Sequence, residues 1–349
     1  MKKVFAVTAA LVLLGLCISA QAVTIATVPV GNAGNAGELS GASVPGGYGP
    51  DRICGSVSYN YNIGKYEVTA GQYTDFLNKV ARTDTYGLYN TNMDTAVYSS
   101  GCNIKRTGSS GSYTYSVASD WANRPVNFVS YWDSCRFTNW LQNGQPTGLQ
   151  TAATTERGVY TLDGYNGYDG RTIQRNAGWK WAVTSEDEWY KAAYYKGGST
   201  SAGYWDYPMQ SNVPTIPSND ITNPDGGNNA NFYQDGYTLG SPYYRTEVGE
   251  FENSESAYAT FDQGGNVWEW NEAIVYQGSD YAYRGLRGGS FDIYGDDGYL
   301  QASFRLYGYP SNEGYDIGFR VSEVVPEPSS IIALAGGLIS LLGIRRRRA

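Results

Sequence analysis

The stretch from Gly264 to Trp270 reads G-G-N-V-W-E-W, a double-glycine turn that leads into two tryptophans. Asp262 and Glu269 flank this turn, seven residues apart. Carboxylates around a tight turn suit the flexible oxygen shell of calcium. The alternative is that Asn266, Trp268 and Glu269 hold a buried turn together without any metal. The stretch therefore carries two interpretations, a calcium site or a purely structural turn.

Three segments upstream of this turn predict helices. Each opens with a hydroxyl side chain that is followed three positions later by a residue able to bond back to the chain, the capping-box pattern: Thr69 with Gln72, Ser130 with Asp133, and Ser185 with Glu188. Apolar residues follow at helical spacing: Tyr73, Phe76, Leu77 and Val80, then Phe137, Trp140 and Leu141, then Trp189, Ala192 and Ala193. We expect the third helix to end at Gly197-Gly198, because glycine readily terminates helices.

Between these helices the chain is rich in Gly, Asn, Ser and Tyr, and residues 199–235 show almost no periodicity. Loops this long indicate either disorder or ordered irregular structure. The tryptophans and tyrosines distributed through the loops favour order. No repeat and no clear linker divides the chain. The sequence therefore predicts one α+β domain, loop-rich with little regular secondary structure, and residues 23–54 predict an N-terminal entry segment of strand and loop.

Charge and residue usage exclude several classes of function. The chain has 25 Lys and Arg against 33 Asp and Glu, a net charge of −8. An acidic chain is a poor partner for nucleic acid, because the phosphates repel it. The absence of histidine excludes imidazole bases and histidine-ligated zinc, iron or copper. After Cys17, the cysteines Cys54, Cys102 and Cys135 allow one disulfide with one thiol left over, and their spacing does not choose the pair.

Both ends of the chain predict processing. Residues 1–22 combine Lys2-Lys3, an apolar run and Ala20-Gln21-Ala22, which are the parts of a secretory signal peptide. The alternative is a retained anchor, although the run is shorter than the ~20 residues of a membrane span. Residues 324–349 carry Pro326-Glu327-Pro328, a short apolar stretch and four arginines. The arginines hold that end in the cytoplasm by the positive-inside bias.

The C-terminal segment resembles the PEP-CTERM sorting signal of exopolysaccharide-producing Gram-negative bacteria, since its three parts stand in the order of that signal. The resemblance implies a transmembrane helix that contacts the membrane transiently, recognition by an exosortase, release of the tail, and delivery to the cell surface or extracellular matrix. The sorting residues would be Pro326, Glu327 and Pro328. A plain tail anchor is the alternative.

Six segments, taken together and in order, resemble the formylglycine-generating-enzyme family, also called the sulfatase-modifying-factor domain. They are I-G-K-Y-E-V-T at 63–69, R-P-V-N-F-V-S at 124–130, S-E-D-E-W at 185–189, G-N-V-W-E-W at 265–270, R-G-G-S-F at 287–291 and G-F-R-V at 318–321. The resemblance covers residues 55–323. It implies an irregular variant of the C-type-lectin fold, which agrees with the loop-rich composition.

Enzymes of this family oxidise a substrate cysteine to formylglycine, with copper held by two cysteine thiolates that follow the Gly-Gly-Ser motif. The matching positions here are Ile293 and roughly Gly298. No cysteine follows Cys135, and copper(I) requires soft sulfur ligands. A second branch of the family uses iron on histidines, which this chain lacks. We therefore expect no copper and assign no catalytic residue.

An enzyme remains the alternative, either an oxidase or another activity at the same cleft. Asp292, Asp296 and Asp297 would form a new hydrolytic group, or else an exposed acidic turn. Arg287, Arg305 and Arg320 would form an anion-binding trio, but we interpret them as buried arginines paired with acids such as Glu269 or Glu67.

Calcium is the cofactor that the resemblance leaves open, because the family binds two calcium ions through side-chain and backbone oxygens. One site maps to Asn231, Phe232, Asp235 and Tyr237, and the other maps to Asp262, Gly265, Val267 and Glu269. The first site has a shorter spacing than the family's.

The leading functional hypothesis is a non-catalytic domain for binding or display, with exopolysaccharide or another matrix component as its partner. Tyrosine combines an apolar ring with a polar tip, which suits wet binding surfaces, and the chain has 32 tyrosines. The structural alternative is that the aromatic side chains pack an irregular core. A purely structural matrix protein is a third hypothesis, and it differs from the first in lacking a discrete ligand.

Overall fold

Three helices begin where the sequence places their caps. The structure is a computed structural model, and it describes residues 22–40, 48, 50–223, 226–293 and 297–325. Its helices are α1 (Ala70–Val80), α2 (Ser119–Ala122), α3 (Tyr131–Gln142) and α4 (Glu186–Tyr194). In α1, α3 and α4 the predicted cap and its partner three residues later bond to each other's backbone N–H. These reciprocal bonds satisfy N–H groups that the first helical turn leaves without partners. The three predicted helix starts are confirmed.

The end of α4 differs from the prediction. Tyr195 is already extended, with φ −69° and ψ 132°, and it forms a β-bridge with Tyr204. The helix therefore ends at Tyr194, before the predicted Gly197-Gly198, because this bridge draws the chain away from the helical path.

The strands of the described ranges are β1 (Thr27–Val30), β2 (Glu38–Ser40), β3 (Arg52–Cys54), β4 (Tyr61–Gly64), β5 (Lys105–Thr107), β6 (Thr114–Ser116), β7 (Trp181–Val183), β8 (Trp268–Gln277), β9 (Ala282–Arg287), β10 (Leu306–Gly308), β11 (Ile317–Gly318) and β12 (Val321–Val324). Two four-stranded sheets form the frame, with strand orders β1-β4-β12-β7 and β10-β9-β8-β11. Two small two-stranded sheets, β2-β3 and β5-β6, accompany them. Most strands are only three or four residues long, so the prediction of a loop-rich α+β domain is confirmed.

The main core lies between α1 and α3. Phe76 of α1 contacts Phe137 and Trp140 of α3, with ring centroids 5.3 and 5.2 Å apart. Phe319 packs edge-on against Phe137 at 5.5 Å. All four rings are fully buried. Full burial of one such side chain contributes about 1.5–3 kcal/mol, so these contacts fix α3 at the centre of the fold.

Buried arginines link the irregular segments to this frame. Arg320 pairs with Glu269 at 2.6 Å, and Arg287 and Arg305 both pair with Glu186, at 2.7 and 2.9 Å. The structural interpretation of the three arginines is therefore confirmed, although Glu67 pairs with none of them. A buried guanidinium requires such a partner, since an unpaired charge in the interior is very costly.

The cysteines form no disulfide in the described part of the chain. Cys54, Cys102 and Cys135 are buried free thiols, so the single disulfide that their number allows is not made. Burial raises the pKa of Cys54 to about 11, which keeps it protonated and inert. Within the described ranges no helix is long and apolar enough to cross a bilayer. Residues 1–21 and the predicted sorting residues Pro326, Glu327 and Pro328 lie outside those ranges.

Candidate functional site

A double-glycine turn follows β9 at the segment where the family resemblance places the reaction, and we use the term groove for residues 290–292 together with the side chains that contact them. Gly288 and Gly289 have φ values of +98° and +79°, which side chains other than glycine rarely adopt. A Cβ on Gly288 would also lie 2.7 Å from the carbonyl oxygen of Gln263. Glycine is therefore required here, and the turn presents Ser290, Phe291 and Asp292 in succession.

Two phenols hold the carboxylate of Asp292. Tyr237 donates its hydroxyl to Oδ1 and Tyr315 donates to Oδ2, each at 2.7 Å. Next to it, the Ser290 hydroxyl donates to Oδ2 of Asp316 at 3.1 Å. Burial raises the pKa of Asp316 to about 6; the Ser290 hydrogen bond opposes this shift and the nearby Asp292 carboxylate adds to it. The groove is therefore a network of carboxylates and hydroxyls.

Aromatic rings and one arginine form the wall behind this network. Tyr244 contacts Tyr237 at 5.3 Å and Phe291 at 5.7 Å between ring centroids. The Arg245 guanidinium lies 5.7 Å from the Phe291 ring and donates to the carbonyls of Ser100 and Gly101. Burial lowers the pKa of Arg245 to about 10. The wall consists mainly of aromatic rings, and the guanidinium of Arg245 is already engaged by two backbone carbonyls.

The two positions that correspond to the family's copper ligands hold no sulfur. Ile293 is buried in the main core, and Gly298 lies in a short 3-10 helix. Asp296 and the side chain of Asp297 lie outside the described residues. Sequence reasoning found Asp292 but missed Asp316 and Tyr315, although both come just before the G-F-R-V segment at 318–321.

The second predicted calcium set is close together, but one of its carboxylates is engaged. Glu269 accepts from Arg320 through both oxygens at 2.6 Å and from Trp189 Nε1 at 2.7 Å. Asp262 is partly buried and accepts from the Gly249 N–H at 2.7 Å. Gly265 and Val267 would offer backbone carbonyls. An ion here would compete with Arg320 for Glu269, so Glu269 does not fit as a free ligand.

Glu67 adds a third carboxylate to this region. Both of its side-chain oxygens are buried and have no hydrogen-bond partner within the described residues. Burial, and next the field of Asp262, raise the pKa of Glu67 well above its usual range, while Arg320 opposes the shift. Three acidic groups thus share one guanidinium. This excess of negative charge is met either by a proton or by a cation.

The first predicted calcium set is spread over a loop that touches the second. The carbonyl of Asn231 accepts from Asn266 N–H at 2.8 Å, and Asn231 bridges to Gly265. The side-chain Oδ1 of Asn231 is buried without a partner in the described ranges, so it fits a cation. The Phe232 carbonyl accepts from Thr238 at 3.1 Å.

The other two members of that set point to different roles. Asp235 is exposed, in the left-handed region with φ +57°. Tyr237 uses its hydroxyl on Asp292. Among the described residues no group of three or more acidic or cysteine side chains has the geometry to hold a metal ion.

The family description that matches the chain is "Sulfatase-modifying factor enzyme 1-like domain", and the match covers residues 53–324. The chain belongs to the sulfatase-modifying-factor family. The groove at Ser290 and the two predicted calcium sets of this sulfatase-modifying-factor domain all lie inside the matched range.

Solved structures resemble this sulfatase-modifying-factor domain in fold. CarF is 19% identical, with a TM-score of 0.52 over 87% of this chain and 99% of CarF. Treponema denticola variable protein 1 is 18% identical, with a TM-score of 0.48 over 85% of this chain and 94% of that one. PvdO from Pseudomonas aeruginosa is 19% identical, with a TM-score of 0.46 over 86% and 94%. No curated relative matches the sequence. The likeness to CarF concerns the fold alone, and with the family it bears out the predicted C-type-lectin-like architecture.

Proposed function

We propose that this domain is a non-catalytic binding or display module on the surface of a Gram-negative bacterium. The observation that carries the proposal is the set of residues found at the groove. Ile293, which stands at the position of a copper-binding cysteine of the family, is buried in the core, and the neighbouring Asp292 accepts hydrogen bonds from two tyrosines. Carboxylate and phenol oxygens are hard ligands, and copper(I) prefers sulfur.

The proposed partner is exopolysaccharide or another component of the extracellular matrix. The net charge of −8 disfavours polyanions, and tyrosine-rich surfaces bind partially hydrated ligands well. Export by residues 1–22 and sorting through Pro326, Glu327 and Pro328 by an exosortase belong to the same proposal. Mass spectrometry of the protein recovered from the cell surface tests them: an intact peptide spanning 324–349 would contradict release of the tail.

Calcium is proposed as a structural ion of this module. In the first set Asn231 would supply its Oδ1, which has no partner among the described residues, and in the second set Asp262 would supply a carboxylate next to Glu67. Calcium bound there would neutralise the excess carboxylate and stabilise the loops around residues 231 and 262. We expect the thermal midpoint to rise when calcium is added to EDTA-treated protein. An unchanged midpoint would mean that protons alone neutralise these groups.

The deciding experiment combines two assays on the full chain. We expect retention on polysaccharide from the host matrix, and no oxidation of a cysteine-containing peptide in the presence of copper(I). A saturable binding curve separates a discrete ligand site from a purely structural matrix role. Stoichiometric copper with consumption of the peptide thiol would overturn the proposal.

A hydrolytic enzyme is the second candidate, because Asp292 and Asp316 are neighbouring carboxylates and burial raises the pKa of Asp316 to about 6. Carboxylate pairs of this kind serve as acid and base in glycoside hydrolysis. Release of reducing sugar from the matrix polysaccharide by the full chain, abolished in Asp316→Asn, would favour this candidate over simple binding.

A further inference from the structure

Seven tyrosines form a continuous patch at the hairpin end of the β10-β9-β8 sheet. We call it the tyrosine face; its members are Tyr48, Tyr168, Tyr276, Tyr281, Tyr283, Tyr307 and Tyr309. Tyr276 of β8 is the register partner of Tyr283 of β9, and Tyr307 of β10 is the partner of Gly285. The strand pairing therefore places phenols from three adjacent strands at one end of the sheet.

The rings contact one another across all three strands. The Tyr283 centroid lies 4.9 Å from that of Tyr307 and 4.4 Å from that of Tyr309. Tyr276 reaches Tyr307 at 4.9 Å, and Tyr168 reaches Tyr309 at 5.1 Å. These contacts fix the orientation of each ring, so little side-chain entropy remains to be lost when a ligand binds.

Several of these rings are open to solvent. Tyr168 is 59% exposed, Tyr48 is 44% exposed and Tyr276 is 38% exposed. Cross-strand aromatic pairing explains why Tyr276 and Tyr283 stabilise the hairpin. It does not explain Tyr168, which comes from a separate segment and adds a largely exposed ring to the same patch. An exposed aromatic patch built from several segments is typical of an interaction surface.

The charge of the tyrosine face selects the ligand. All seven members are uncharged phenols, and a hydrogen bond between Tyr283 and Tyr309 raises the pKa of Tyr283 to about 12. At the edge, Arg171 is neutralised by Asp169 at 2.6 Å. The chain as a whole carries −8. A neutral ligand is therefore complementary to this surface, whereas an acidic polymer is repelled by the rest of the molecule.

We propose that the tyrosine face binds a neutral polysaccharide chain, whose sugar rings stack on the exposed phenol rings while their hydroxyls bond to the tyrosine hydroxyls. A tyrosine offers both an apolar face and a polar tip, and a sugar offers a C–H face and a rim of hydroxyls. This inference rests on the proposed function and names the surface that performs it. The groove at Ser290 follows the far end of β9, so the two sites are separate on this sheet.

The test compares matched variants of the full chain. Tyr168→Ala/Tyr276→Ala removes two exposed rings from the tyrosine face. Tyr98→Ala is the control, because Tyr98 is 41% exposed but packs on Phe128 and Tyr315 near the groove. Calorimetric titration uses cellohexaose, laminarihexaose and mannohexaose as neutral probes, hexagalacturonate as an acidic probe and decaproline as a peptide probe. Circular dichroism and the thermal midpoint verify that every variant is folded.

We expect the wild-type chain to bind at least one neutral hexasaccharide, the double variant to bind it at least about tenfold more weakly, and Tyr98→Ala to be unchanged. Tyr276→Phe separates the two contacts, since it keeps stacking and loses one hydroxyl. Equal binding by the double variant, binding only of hexagalacturonate or decaproline, or no neutral binding overturns the inference. A different result would contradict the proposed function, namely that the wild-type chain is not retained on host matrix.

Discussion

Replacement of Glu186 by alanine should remove a large part of the free energy of unfolding of this domain. Glu186 stands in the first turn of α4 and is almost fully buried. One carboxylate oxygen accepts from Arg287 at 2.7 Å, and the other contacts Arg52 at 2.9 Å and Arg305 at 3.0 Å. Burial alone would raise the pKa of Glu186, but the arginines outweigh it and lower the pKa. One anion therefore pairs with three cations from distant parts of the chain.

The expected loss follows from what the alanine variant leaves behind. Arg52 keeps Asp187 as a partner at 3.0 Å, whereas Arg287 and Arg305 keep no carboxylate among the described residues. Both of these guanidiniums are buried, at 0% and 1% exposure. Removal of one partner from a buried ion pair costs about 3–5 kcal/mol. Because two cations are left without a counter-charge, we expect the upper half of that range, against a total of about 5–15 kcal/mol for a typical domain.

Urea unfolding of the full chain, followed by tryptophan fluorescence, measures the change. Asp163→Ala is the control, since Asp163 forms an ion pair with Arg157 in which both side chains are about half exposed. The control should leave the unfolding midpoint unchanged. A loss below about 1 kcal/mol in Glu186→Ala would refute the reasoning, because it would mean that the two arginines are neutralised or hydrated in another way.

Three further predictions follow from buried groups and caps. Burial, and then the field of Asp133, raise the pKa of Glu313 from 4.5 to about 8, so the folded state loses stability as pH rises through this interval. The free energy of unfolding of Glu313→Gln should therefore exceed that of the wild-type chain by about 1–2 kcal/mol at pH 8, after allowance for the partial exposure of this side chain, and should equal it at pH 4. The same gain at both pH values in urea unfolding would contradict this. Ser130→Ala should lose about 1 kcal/mol with the cap of α3, and an unchanged urea midpoint would show that the cap is dispensable. A thiol reagent should label Cys54, Cys102 and Cys135 only after denaturation, as read by mass spectrometry. Labelling of these cysteines in the folded protein would contradict their burial.

The parts of the fold that were predictable from sequence are those fixed by nearby residues. The starts of α1, α3 and α4 depend on a hydroxyl and a partner three positions away, so the local pattern suffices. The end of α4 depends on a bridge from Tyr195 to Tyr204, and no local signal reports that contact. The strand orders also join segments far apart in the chain, such as β4 and β12.

The same distinction applies to the site. The absence of cysteine near Ile293 is a property of the sequence alone, and it determined the expectation for copper. The bonds from Tyr237 and Tyr315 to Asp292 join residues 55 and 23 positions away, which no motif spacing reveals. Glu67 was considered as a partner for a buried arginine, but its oxygens have none in the described part of the chain. Burial and pairing depend on the packed structure, so composition cannot assign them.

The position of β12 has a mechanical consequence. β12 is an inner strand that pairs with β4 on one side and β7 on the other, both antiparallel. Tension applied through Val324 would pull along this strand and load the rungs of both ladders simultaneously, instead of peeling them one at a time as at a sheet edge. A molecule held from its C-terminal side against flowing liquid would therefore resist extension through collective shear of two hydrogen-bonded seams.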